Sequence, residues 1–72
     1  MDQDAALAAI VADNERAEQR ALTALKVAGD ALLAKPRSPT AKRTYRDAQA
    51  KLADVRLFND QRIEHFMTTA NK

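Results

Sequence analysis

The segment Lys35-Pro36-Arg37-Ser38-Pro39-Thr40 lies at the middle of the 72-residue chain, and neither side of it contains another proline; the only glycine is Gly29. Proline disfavours helical backbone in the residue before it, so Pro36 moves Lys35 out of the α region and ends whatever helix precedes it. Ser38 followed by Pro39 has the opposite effect. A serine hydroxyl can accept from free amides at a helix start, and proline suits the first helical position, where no amide partner is needed. The chain therefore reads as all-α, an antiparallel hairpin of two long helices in one domain over 1–72. The expected limits are helix over about 4–35, turn over 36–38 and helix over about 39–69.

Hydrophobic spacing on each side of the turn agrees. Leu7, Ile10/Val11, Asn14, Ala17, Ala21, Ala24/Leu25, Ala28 and Leu32 recur at three- and four-residue steps, the spacing of one helical face. The second half carries Ala41, Tyr45, Ala48, Leu52, Val55, Asn59, Arg62/Ile63 and Phe66 in the same rhythm. Folding back at Arg37-Ser38 pairs residues whose numbers sum to roughly 73–76, setting the small alanines of the first helix against the larger groups of the second. In that register Ala28 and Gly29 meet Tyr45, Ala21 and Ala24 meet Leu52 and Val55, and Asn14 meets Asn59. A polar pair in an apolar seam can fix register, or it can simply be solvated.

A chain this short rarely buries enough apolar surface to stand alone. It has no cysteine and a single histidine, His65, which excludes disulfides, cysteine-based zinc and a histidine metal site; no cofactor is expected. Self-association or docking onto a protein partner remains, with a homodimer closing into a four-helix bundle as the default. Leu22 and Leu33 fall off the first stripe, and Ala50, Ala53, Leu57 and Met67 form a weaker second stripe, with Phe58 at the flank of the seam. The expected partner interface is Ala50, Ala53, Leu57 and Phe58, the two alanines permitting close approach and the two large residues acting as anchors.

The net charge of +2 is unevenly spread. Residues 1–34 carry six acids and three bases, net −3, whereas residues 35–56 carry seven bases and two acids, net +5. Lys35, Arg37, Lys42, Arg43 and Arg46 gather near the turn as a candidate patch for an anion or an acidic partner. Tyr45, the one aromatic residue near them, lies on the core stripe, so base stacking is not expected and nucleic acid ranks below protein as a partner. No catalytic constellation stands out. Asp60, Glu64 and His65 are close in sequence, but His65 points about 100° away from Glu64 around a helix, and Ser38 is better explained as a cap than as a nucleophile. The acidic start Met1-Asp2-Gln3-Asp4 lacks the basic region of a secretory leader, and the longest apolar run, Ala5 to Ala12, is too short to span a bilayer; the expectation is a cytoplasmic protein without a membrane span.

Pro36, Pro39, Thr40, Ala41 and Tyr45, followed by the run from Lys51 to Asn59, resemble the turn and second helix of type III secretion needle subunits, small helical hairpins with a Pro-x-x-Pro turn. The run aligns with the needle helix only across a three-residue gap, and the resemblance covers about a third of the chain. The small helical-hairpin chaperones that hold needle subunits are similar in length and plan. Needle subunits continue further into a polymerising C-terminal segment, and the Ala-rich first helix here has no clear counterpart in them, so the resemblance implies a chaperone, an adaptor or a structural component of a secretion apparatus. Taken together, the sequence predicts a non-enzymatic protein-interaction module. The alternatives are a dimeric hairpin that binds nucleic acid and a phage or plasmid regulator acting by protein contact.

Overall fold

A computed structural model describes residues 2–70, which form two helices, α1 (Asp2–Ala34) and α2 (Pro39–Ala70), packed antiparallel. The first helix ends one residue earlier than the sequence predicts. The Lys35 amide still donates to the Ala31 carbonyl at 3.0 Å, completing the last helical bond, while Lys35 itself has already left the helix. This is the constraint imposed by Pro36. The Ser38 amide then donates to the Lys35 carbonyl at 3.1 Å, closing a four-residue turn with Pro36 at its second position, and no residue from Lys35 to Ser38 has a positive φ. A type I turn fits both facts, since proline presets its second position and its third needs no left-handed backbone.

Ser38 starts α2 twice over. Its carbonyl accepts from the Lys42 amide and its Oγ from the Ala41 amide, both at 3.1 Å, so one residue supplies the first intrahelical acceptor and a side-chain cap. The reversal needs only the four residues between the helices, and the two rods stay in contact along their length.

Register follows from three levels of contact. Near the turn, a Cβ placed on Gly29 would sit 3.3 Å from a Tyr45 ring carbon, so the missing side chain is what lets the ring lie this close to α1. Midway, Arg56 Nε donates to Glu18 Oε1 at 2.8 Å across the seam. Toward the open end, Asn14 faces Asn59. These pairs sum to 74, 74 and 73, within the range the sequence pattern predicts.

The core is thin. Among the described residues the buried apolar side chains are Ala21, Ala28 and Leu52, and no large side chain is fully enclosed. The molecule measures 53 × 16 × 10 Å with a radius of gyration of 16.4 Å, against about 11 Å for a compact domain of this length. It exposes 5768 Å², where a compact monomer of its mass exposes about 4,450 Å². Among the described residues no helix is long and apolar enough to cross a membrane.

Candidate interaction surfaces

The seam contains one polar site. Asn14 and Asn59 are 6% and 8% exposed, and each side-chain amide donates to the other residue's backbone carbonyl, at 3.3 Å from Asn14 and 3.1 Å from Asn59. Arg62 reaches across to Asn14 Oδ1 at 3.4 Å. No buried side-chain nitrogen or oxygen among the described residues lacks a partner, so the site is satisfied and offers no open valence to a ligand. It holds the helices together. The sequence pattern places these two asparagines face to face, but it could not reveal that they bond to backbone instead of to each other, or that Arg62 joins them.

The four residues predicted to form a partner interface are all exposed, Leu57 at 59% and Phe58 at 60%. They do not share one face. Successive residues are separated by about 100° around a helix, and Ala50, Ala53 and Leu57 fall on the side of α2 opposite the seam. Phe58 instead lines a shallow groove beside the seam with Ala17, Val55, Lys51 and Arg62.

A second groove lies on the other flank, toward the turn. It is lined by Leu22, Leu25, Gly29, Leu33 and Tyr45, with the Lys26–Asp30 ion pair (3.5 Å) at its edge. Leu33 is 80% exposed and Leu22 37%, and the absent Gly29 side chain deepens the hollow between them. The sequence marks Leu22 and Leu33 as surplus to the seam. It does not mark Val27, which is 64% exposed, because a lone valine outside the stripe leaves no periodic trace.

Lys35, Arg37, Lys42, Arg43 and Arg46 are all exposed, and none makes a side-chain hydrogen bond or ion pair among the described residues. The ion pairs lie elsewhere: Arg16–Asp13 and Lys26–Asp30 along α1, and Glu18–Arg56 across the seam. Asp60, Glu64 and His65 are exposed on α2, and no group of three His, Asp or Glu side chains among the described residues is placed to hold a metal ion. Ser38 Oγ is engaged as the cap of α2. Comparison with protein-family profiles, curated proteins and solved structures gave no significant match.

Proposed function

We propose that this protein is a non-enzymatic interaction module, a helical hairpin that completes a larger helical bundle with a second copy or a protein partner. The carrying observation is the disproportion between its core and its surface. One large apolar side chain, Leu52, is buried, while Val11, Leu22, Val27, Leu33, Leu57, Phe58 and Met67 are exposed among the described residues. Apolar area contributes roughly 25 cal/mol per Å² once covered, so covering these side chains stabilises the molecule. A small chaperone, adaptor or structural component of a secretion apparatus is the most specific form of this reading, supported by the resemblance of the turn and the start of α2.

The test is the dependence of melting on concentration. Helical circular dichroism should be lost at a temperature that rises with protein concentration, or on addition of the partner. A monomer in sedimentation that melts cooperatively at a high temperature independent of concentration would refute the reading.

The five cations near the turn, unpaired among the described residues, favour a second reading, binding of a nucleic acid by a dimer. On that reading affinity falls steeply with salt, with a logarithmic slope of about −0.9 per phosphate contact, and Arg43→Glu with Arg46→Glu abolishes it. Binding that is absent at low salt eliminates it.

A further inference from the structure

Val11, Leu22 and Leu33 recur at eleven-residue intervals on α1 and are 36%, 37% and 80% exposed. Eleven residues make three helical turns with a drift of only about 20°, so the three side chains form one row about 33 Å long. A charged series with the same spacing runs beside it: Asp4, Glu15 and Lys26, all exposed, acidic toward the open end and basic toward the turn. On α2 the row facing the same way is Tyr45, Arg56 and Met67, again eleven apart; Tyr45 and Arg56 are the residues that touch Gly29 and Glu18. One flank of the hairpin therefore repeats along its length, and its charge changes sign from end to end.

Resting on the interaction reading, we infer that the occupant of this flank is a second copy of the chain, stacked antiparallel about a two-fold axis at the level of Leu22. Such an axis lays α1 over the partner's α1 and α2 over the partner's α2, with α1 residues paired when their numbers sum to 44. Leu22 then meets Leu22 of the partner subunit, and Val11 meets the partner's Leu33. Lys26 comes opposite the partner's Glu18 and one turn from the partner's Glu15. On α2, Lys42 falls within a turn of the partner's Asp60. Lys26 and Glu18 already have partners within the chain, Asp30 and Arg56, so these contacts extend existing ion pairs into a network.

A parallel pairing that sets α1 on the partner's α1 would bury the same apolar row, but it puts Lys26 on Lys26 and Glu15 on Glu15, like charges in register, and leaves α2 off the partner. The available area suits a dimer. A flank of 53 by 16 Å offers roughly 850 Å² per copy, close to the ~800 Å² per partner of a standard interface.

Because the chain contains no cysteine, single engineered thiols report the geometry directly. Separately purified Val11→Cys and Leu33→Cys, mixed and mildly oxidised, should cross-link to each other, and Leu22→Cys should cross-link to itself. Each should react roughly tenfold or more faster than Ala50→Cys, because pairing raises the effective thiol concentration. Self-linking of Val11→Cys in preference to the mixed product would overturn the antiparallel axis. Fast linking of Ala50→Cys alone would move the interface to the outer side of α2, overturning this inference while leaving the interaction reading intact. Slow linking at every position overturns it too, and the melting experiment then decides whether the interaction reading also falls.

Discussion

Asn59→Asp is expected to open the hairpin at neutral pH, at a cost of about 3 kcal/mol or more. Asn59 Nδ2 donates to the Asn14 carbonyl from an almost fully buried position. A carboxylate cannot donate, and it would place a negative charge against that carbonyl oxygen in an almost fully buried position. The isosteric change at Asn14 is expected to be milder, because Arg62 already lies 3.4 Å from Asn14 Oδ1 and can partner the charge. Thermal melts of the two variants at one protein concentration measure the contrast. Burial raises the folded-state pKa of the introduced carboxyl above its unfolded value, so the destabilisation is present above that folded pKa and disappears as pH falls below the unfolded one. Equal losses for Asn14→Asp and Asn59→Asp would show that Arg62 does not support the site.

Leu52→Ala is expected to cost about 2–4 kcal/mol, the usual range for a buried leucine truncation. Leu52 is 7% exposed and is the one large apolar residue among the buried set, opposite Ala21 in the register; an alanine there leaves alanine facing alanine. Leu25→Ala should cost less, because Leu25 is only half-buried, and exposed His65→Ala should change stability by less than about 0.5 kcal/mol. Urea denaturation repeated over a range of protein concentrations separates these effects from any change in association. If His65→Ala unfolds the protein and Leu52→Ala does not, the face assignment is wrong.

The hairpin and its register were legible because their signals are local and repeated. Two prolines interrupt an otherwise helix-forming chain, and seven-residue spacings run through Asn14, Ala21 and Ala28 on α1 and Tyr45, Leu52, Asn59 and Phe66 on α2. A one-residue slip would rotate a whole stripe by about 100°, so the pattern tolerates only one arrangement of faces. What the pattern could not give is the identity of bonded atoms. Helical spacing puts Asn14 near Asn59, but whether amide meets amide or amide meets backbone depends on rotamers and on small differences in the separation of the helices. Leu57 and Phe58 illustrate a second limit. Both are surplus to the seam, but being surplus assigns no shared direction, and adjacent helical residues point apart.

The three levels of contact across the seam close loops of very different length. Gly29 and Tyr45 are 16 residues apart in sequence, Glu18 and Arg56 38, and Asn14 and Asn59 45. Loop-closure entropy grows as (3/2)RT ln n, so docking the asparagines directly from the open chain costs about 0.9 kcal/mol more than docking Tyr45 on Gly29. Once the level near the turn has formed, each further level adds only the residues between it and the last. Closure therefore runs from the turn outward. On loop entropy alone, the polar pair forms last and is released first of the three levels, so the half of the rod that carries the buried amide hydrogen bonds is the half that opens before the turn does.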